Sequence, residues 1–274
     1  MKLWKYTFYL LLLLLTGVII ALFQLPDQNL HIIACDVGQG DAILITYKDS
    51  QILTDGGPNS KVLTCLGRHM PFWDRSIELI VSTHPDSDHS TGLVDVIKRY
   101  KVGSILVNPV DPGTDIYRLL KNTVGGRGVS VINPKEGMVL RLDLIQLDIL
   151  SKYNANKTDT NYNSIIYKLE FSNFSGLFMG DIPPSVSDEL SERVERVNYI
   201  KIPHHGSANG LTLNLLKAVM PKVAVISVGA KNQWGFPAPS ILQMLTDNNV
   251  KVLRTDLMGD VEVITDGEKY WAKN

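Results

Sequence analysis

The sequence has few cysteines and no excess of basic charge, and both shortages restrict its chemistry. Cys35 and Cys65 follow no CxxC or zinc-finger spacing, so we expect two buried thiols, with a disulfide as the alternative. In 274 residues, 27 basic residues are balanced by 28 acidic ones, for a net charge of -1. Proteins that grip long nucleic acids usually carry a basic excess. The net charge therefore argues against an extended nucleic-acid groove and favours a local site, unless bound divalent ions change the charge balance.

The amino-terminal segment lacks charge over a length that fits a bilayer. No charged residue occurs in residues 6–26, and residues 10–15 are all leucine. About 20 apolar residues can cross the hydrocarbon core, and the basic flank before them favours a cytoplasmic amino terminus. We therefore predict a single-pass membrane anchor in residues 1–29 and an extracytoplasmic domain in residues 30–274. A cleaved signal peptide is the alternative.

The rest of the chain contains no low-complexity linker that would divide it. Residues 31–54 have the pattern of an antiparallel meander, and strand-like and helix-like segments then alternate. The second half repeats this order, with strands first and strand–helix units after them. We predict a single α/β domain in which two sheets pack face to face and helices cover both outer faces, a four-layer αββα sandwich.

Candidate metal ligands are concentrated in residues 82–92. Two histidines and two aspartates occupy residues 84–89, directly after the apolar segment 79–81. Other ligand-type residues follow other predicted strands. These are Asp41, Asp55, Asp181, His204 and His205. Because strand ends gather at one edge of a layered α/β protein, we expect these side chains to meet. For Asp41 and Asp55 the alternative is ordinary turn chemistry, in which aspartate is favoured. We assign both residues a structural role near the site.

Five segments resemble, in order, the C-terminal hydrolase-like domain of the ComEC family of DNA-uptake proteins, which has the metallo-β-lactamase fold. They are DVGQGDA at 36–42, HPDSDH at 84–89, GD at 180–181, KIPHHGS at 201–207 and SVGAKN at 227–232. The resemblance covers residues 30–266 and does not extend to a multi-helix membrane channel. It implies a metal-dependent hydrolase that acts on phosphodiesters, DNA in particular, beside a separate DNA-channel protein.

The resemblance also implies ligands for one or two divalent ions, with Asp88 and Asp181 as the candidate catalytic carboxylates. The implied metal ligands are His84, Asp86, Asp88, His89, Asp181, His204 and His205. His84 and Asp86 are assigned to a first ion and Asp88 and His89 to a second, with Asp181 between them. Neighbouring residues on a strand point to opposite sides, so only one of the last two histidines need bind. We favour His204, which lies nearer the strand end.

Two departures from the family pattern bear on the metal and on turnover. No histidine occurs between His89 and His204, where many enzymes of this fold have one, and the matching segment 161–164 offers asparagine and serine instead. The first metal site is then rich in oxygen ligands, which makes manganese or magnesium plausible beside zinc. Phe236 stands where the family often has histidine, and we expect this change to slow turnover or shift the substrate.

Four residues are candidates for substrate binding: Lys201, Ser207, Asn232 and Asn161. For the first two, a solvated lysine and a helix cap are the alternatives. Bound divalent ions would make the acidic pocket attractive to phosphate, so the net charge permits a nucleic-acid substrate. The sequence predicts a membrane-anchored phosphodiesterase or nuclease for DNA. The alternatives are a hydrolase of another surface ester and a metal-stabilised, non-catalytic DNA-binding module.

Overall fold

The computed structural model describes residues 2–109, 111–157 and 159–273. Met1 and Asn274, which bound the two predicted segments, therefore lie outside the described residues. Helix α1 spans Lys2–Phe23, and the leucines at 10–15 are 51–71% exposed on it. Across the described ranges, no helix is at once long enough and apolar enough to cross a membrane. The predicted transmembrane anchor is thus not supported.

Fifteen strands within the described ranges form two sheets. The strands of sheet 1 are β1 (Leu30–Ala34), β2 (Ile43–Tyr47), β3 (Ser50–Thr54), β4 (Ser76–Ser82), β5 (Lys101–Val107), β6 (Ser130–Ile132), β14 (Val261–Thr265) and β15 (Tyr270–Lys273). Those of sheet 2 are β7 (Val139–Leu142), β8 (Ile145–Ile149), β9 (Tyr167–Phe171), β10 (Phe174–Phe178), β11 (Tyr199–Lys201), β12 (Val223–Ile226) and β13 (Lys251–Arg254). Sheet 1 has the order β15-β14-β1-β2-β3-β4-β5-β6, and sheet 2 the order β13-β12-β11-β10-β9-β8-β7.

Each sheet begins as an antiparallel meander and continues with parallel strands. In sheet 1, β1, β2 and β3 are antiparallel neighbours, and β3 to β6 run parallel. In sheet 2, β7 to β10 are antiparallel and β10 to β13 parallel. The pairing of β14 with β1 then returns the chain to sheet 1. The two repeated halves predicted from the sequence are confirmed.

Seven further helices follow α1 in the described ranges. They are α2 (Lys61–His69), α3 (Ser87–Arg99), α4 (Asp115–Arg127), α5 (Pro184–Ser191), α6 (Leu213–Val219), α7 (Pro239–Asp247) and α8 (Thr255–Met258). Apolar residues of α2, α3 and α4 join one face of sheet 1 in a buried cluster. Those of α5, α6 and α7 join one face of sheet 2 in another. The predicted αββα layering is confirmed.

Alternating side chains of the strands build the layers. Ile32 and Ile45 face the core between the two sheets, whereas Ile33 and Leu44 face the helices. This is the two-residue period of a strand with both faces covered. Parallel β3 and β4 end side by side in sheet 1, as β10 and β11 do in sheet 2. Polar residues that follow these strands are thereby brought to the sheet edges.

The two cysteines form a disulfide, and the prediction of free thiols was wrong. Cys35 and Cys65 have Cα atoms 5.8 Å apart, within the normal range for a bridge. Cys35 follows β1 and Cys65 lies on α2, so only the packing of that helix on sheet 1 makes them neighbours. A second set of contacts near the disulfide also connects α2 to the segment after β1. Asp260 accepts hydrogen bonds from Arg68 and His69 of α2 and from the backbone N–H of Asp36.

Candidate metal centre

Close backbone contacts hold the start of α3 against two loops. The backbone N–H of Gly56 donates to His89 O at 2.7 Å, and that of Gly92 donates to Gly57 O at 2.9 Å. A Cβ atom on Gly92 would lie 1.9 Å from Gly56 O, and one on Gly40 would lie 2.2 Å from Asp88 O. These glycines are therefore required by close approach. They place the loops after β1 and β3 beside the ligand-rich segment 84–89.

Asp55 orients His89. Its Oδ2 lies 2.9 Å from His89 Nδ1 and accepts the hydroxyl of Thr83 at 2.7 Å, and its Oδ1 accepts the backbone N–H of Thr83 at 2.8 Å. An ionised carboxylate can only accept, so Nδ1 of His89 carries the proton. Nε2 of His89 then points the other way, 3.3 Å from Asp181 Oδ1. Asp55 itself is completely buried and has a left-handed backbone, with φ +58°.

Thr83 orients the ring of His84 through its Nδ1 atom, as Asp55 orients the ring of His89. The Thr83 hydroxyl donates to Asp55, so its oxygen is free to accept, and it lies 2.9 Å from His84 Nδ1. Nε2 of His84 therefore presents a lone pair, 3.8 Å from Asp86 Oδ2. The other oxygen of Asp86 accepts the hydroxyl of Thr160 at 2.7 Å. The half-exposed Asp86 thus has one oxygen held by a loop and one turned toward His84.

His205 is the third oriented imidazole. Its Nδ1 lies 3.0 Å from the carbonyl oxygen of Ser227, an acceptor, so this nitrogen carries the proton. Its Nε2 lies 3.3 Å from Asp88 Oδ2 and 3.4 Å from Asp181 Oδ2. Asp41 Oδ1 lies on the Nδ1 side, at 3.3 Å. Asp41 therefore contacts His205 on its Nδ1 side. Asp41, His89, Asp181 and His205 each offer one potential ligand atom, and these atoms all lie within 4.8 Å of one another.

The donor atoms that meet at this centre lack hydrogen-bond partners. Nε2 of His84, His89 and His205 and Oδ1 of Asp181 are all buried without one. Buried polar atoms in folded proteins are normally satisfied, and neutral imidazole nitrogens with carboxylates are ligands for zinc and manganese. Each imidazole is also held through its other nitrogen, the usual arrangement around a bound metal ion. The residues present therefore fit a divalent metal.

Electrostatics at the centre indicate the same need for a cation. Burial lowers the pKa of His205, but Asp181 and Asp41 outweigh it and raise that pKa to about 9. Burial likewise opposes the charged form of His89, yet Asp181 and Asp55 raise its pKa well above the usual value. Burial raises the pKa of Asp181, but His205 and His89 outweigh it and lower that pKa well below its ordinary value. The neighbouring carboxylates thus favour a positive charge on His89 and on His205. Bound divalent ions would supply that positive charge in place of the imidazole protons.

His204, which we favoured over His205 from the sequence, lies at the edge of the candidate metal centre. Its side chain is 29% exposed, and its Nε2 is 3.9 Å from Asp181 Oδ2. The pair is not part of a strand, because β11 ends at Lys201 and a short 3-10 turn spans Pro203–Gly206. Both histidines have left-handed backbones, with φ +52° and +54°, which for residues other than glycine costs about 1–3 kcal/mol. The turn, not strand alternation, aims His205 inward.

The four predicted substrate contacts lie around the centre in different settings. Lys201 is buried, with its Nζ 2.7 Å from Asp41 Oδ2 and 2.9 Å from Ile202 O. Ser207 Oγ accepts a backbone N–H, and Asn232 bonds within its own loop. Asn161 keeps a buried side-chain oxygen without a partner. Of the four, Asn161 has the clearest spare capacity for a ligand, and Lys201 instead neutralises Asp41.

Sequence reasoning missed the residues that orient the ligands. Thr83 and Thr160 hold His84 and Asp86, and the carbonyl of Ser227 holds His205. Ser164, in the asparagine–serine segment, accepts the backbone N–H of Asp181 at 3.3 Å. Thr83 could have been found, because it lies between the strand and the first ligand. A backbone carbonyl gives no signal in a sequence.

Curated relatives of the chain are competence and recombination proteins. ComE operon protein 3 of Bacillus subtilis is 24% identical over 247 residues, which cover 83% of this chain and 32% of that protein. Recombination protein 2 of Haemophilus influenzae is 25% identical over 256 residues, covering 92% of this chain and 31% of that protein. The chain thus spans about a third of the length of these relatives. No family model matches it. The predicted resemblance to the competence proteins is confirmed.

Solved structures give the fold. The metallo-β-lactamase fold protein YhfI from Bacillus subtilis superposes with a TM-score of 0.57 at 12% identity, covering 89% of this chain and all of that one. The chain has the metallo-β-lactamase fold. A diphosphatase of the PhnP family has a TM-score of 0.54 at 14% identity, covering 86% of this chain and 98% of that one. At these identities the likeness establishes architecture, and the chemistry must come from the site itself.

Proposed function

We propose that the protein is a metal-dependent hydrolase that cleaves phosphodiesters, with DNA as its substrate, in a DNA-uptake context. The observation that carries the proposal is the set of buried donor atoms without partners: Nε2 of His84, His89 and His205, and Oδ1 of Asp181. Asp88 extends this set toward solvent, since it is partly exposed and its Oδ2 lies 3.3 Å from His205 Nε2. A substrate can therefore approach the centre from the side of Asp88.

The chain's own residues prepare this centre for hydrolysis. Divalent ions bound by these residues would supply Lewis-acid activation of water and neutralise phosphate oxygens. Asp55, Thr83 and the carbonyl of Ser227 hold the Nδ1 atoms of His89, His84 and His205, which leaves the three Nε2 atoms to bind a metal ion. Burial raises the pKa of Asp88, but the nearby imidazoles of His205 and His89 outweigh it and lower that pKa. Asp88 thus remains an acceptor at neutral pH, able to hold and orient a water molecule at the mouth of the site.

The likeness to competence and recombination proteins favours DNA as the substrate, and we propose a separate channel protein as a partner on the sequence resemblance alone. Because the chain matches about a third of their length, both belong to the proposal. A disulfide, which persists in oxidising compartments, supports an extracytoplasmic domain. The exposed leucines of α1 support attachment to a membrane through that helix. Release of the chain from washed membranes by salt alone would contradict the attachment.

The experiment measures metal content first and turnover second. The purified full chain should retain Zn²⁺ or Mn²⁺ and should cleave single-stranded DNA in its presence. Asp88→Ala should abolish cleavage, whereas Asp115→Ala should not, because Asp115 also lies in the first turn of a helix but is 96% exposed. No bound metal and no cleavage with any divalent ion would refute the proposal. A panel of other phosphoesters tests for a hydrolase of a different surface ester.

One observation favours a second candidate, a metal-stabilised DNA-binding module without turnover. Phe236 lies against His204, with ring centroids 5.9 Å apart, and the sequence resemblance implies a histidine at its position. The phenyl ring of Phe236 has no ionisable group and cannot transfer a proton. Tight metal binding together with DNA binding, and no cleavage even after Phe236→His, would favour the module. Cleavage that appears or accelerates with Phe236→His would favour the enzyme.

A further inference from the structure

A row of aromatic rings leads outward from the metal centre. His204 lies edge-to-face with Phe236, at a centroid distance of 5.9 Å and an interplanar angle of 71°. Phe236 is followed by Trp234, with centroids 6.4 Å apart and planes only 19° from parallel. The indole of Trp234 is 55% exposed. A single exposed aromatic residue is common on protein surfaces, but this one ends a row of rings that begins at His204, a candidate ligand.

The loop that carries these rings is fixed in position. The side chain of Asn232 accepts the backbone N–H of Phe236 at 2.9 Å and donates to the carbonyl oxygens of Gly229 and Phe236 at 3.0 and 2.8 Å. The backbone N–H of Ala238 donates to Gly206 O at 2.8 Å. The rings are thus tied both to their own loop and to the turn that carries His204 and His205. A ligand that stacks on Trp234 meets a surface that needs little ordering.

The chemistry of such a surface selects flat, unpaired rings. A base stacked on an aromatic side chain contributes affinity regardless of its identity, because every base has a π-face. Bases in a duplex are covered by their neighbours, whereas those of a single strand are free to stack. Lys231, exposed on the same loop, adds a positive charge for the adjoining phosphate. The row therefore suits a single-stranded nucleic acid whose backbone reaches the metal centre.

We propose that Trp234, backed by Phe236, is a base-stacking subsite that binds single-stranded nucleic acid beside the metal centre. The inference rests on the proposed function and names the form of its substrate. Asn232, predicted from the sequence to contact substrate, acts here as a positioning residue for the two rings.

Binding without turnover tests the subsite. The full chain in EDTA is titrated with a labelled oligothymidylate of ten residues and with an abasic oligomer of the same length, and anisotropy gives both affinities. Trp234→Ala should weaken binding of the oligothymidylate about tenfold and leave binding of the abasic oligomer unchanged. Trp271→Ala, a 43% exposed tryptophan on the edge strand β15, should change neither. Quenching of tryptophan fluorescence by the oligothymidylate should disappear in Trp234→Phe, which keeps a ring but loses the indole.

Three outcomes would overturn the subsite. They are equal binding of both oligomers by the unaltered chain, unchanged oligothymidylate binding by Trp234→Ala, and no measurable binding at all. Circular dichroism of each variant checks that it is folded. The proposed hydrolase can fail separately. In that case the metal-loaded chain would cleave no phosphodiester, while the base-dependent binding and the quenching by oligothymidylate would remain.

Discussion

Reduction of the Cys35–Cys65 disulfide should destabilise the domain strongly. The bridge closes a segment with a sequence separation of 30. In the chain-entropy description, a loop of this size restricts the unfolded chain by about 12 cal/mol/K, or about 3.6 kcal/mol at 25 °C. Both cysteines are buried in the cluster between sheet 1 and its helices. Reduction therefore frees the unfolded chain while leaving the packed side chains in place.

Urea unfolding of the full chain, with and without reductant, measures this effect. With an m-value of about 2.5 kcal/mol/M, the loss corresponds to a shift of about 1.4 M in the midpoint. The double variant Cys35→Ala, Cys65→Ala is the control, because its midpoint should not respond to reductant. Comparison of this variant with the reduced chain separates lost packing from lost cross-linking. Equal midpoints for the oxidised and reduced chain would refute the reasoning.

Three further predictions follow from single contacts. Asp55→Asn should weaken metal binding about 10- to 100-fold, because His89 loses the carboxylate that orients it; unchanged affinity by calorimetry would contradict this. Hydrogen bonds and nearby positive charge outweigh burial and lower the pKa of Asp260 to about 2 from 3.8. Solvent screening of this partly exposed group reduces its contribution to about 1 kcal/mol, which is present above pH 4 and lost as the pH falls through 2. Asp260→Asn should therefore be less stable than the unaltered chain at pH 7 and close to it at pH 2. Gly92→Ala should lower the free energy of unfolding by about 3 kcal/mol, since its Cβ would lie 1.9 Å from a backbone oxygen. Gly67→Ala is the control: its Cβ would have nothing within 4 Å, so it should be neutral or stabilising. Equal stabilities of the two variants would contradict this prediction.

The fold could be predicted because its signals are local. Alternating apolar residues set the strands, and each strand–helix unit has its own turn residues, so the layers follow from patterns a few residues long. The ligand-rich segment 84–89 was equally visible. The choice between His204 and His205 was not. It depends on a turn with left-handed backbone angles at both residues, and two neighbouring histidines look alike until that turn is known.

The sequence by itself determined the two-sheet architecture, the residues able to bind metal and the likeness to competence proteins, because each is written in short-range patterns. Tertiary structure alone decided which donor atoms face one another. It brought Cys35 to Cys65 across 30 positions, turned Lys201 from a candidate substrate contact into the partner of Asp41, and set His205 inside the centre. These outcomes depend on how separate loops pack at the edges of two sheets, and no local pattern contains that information.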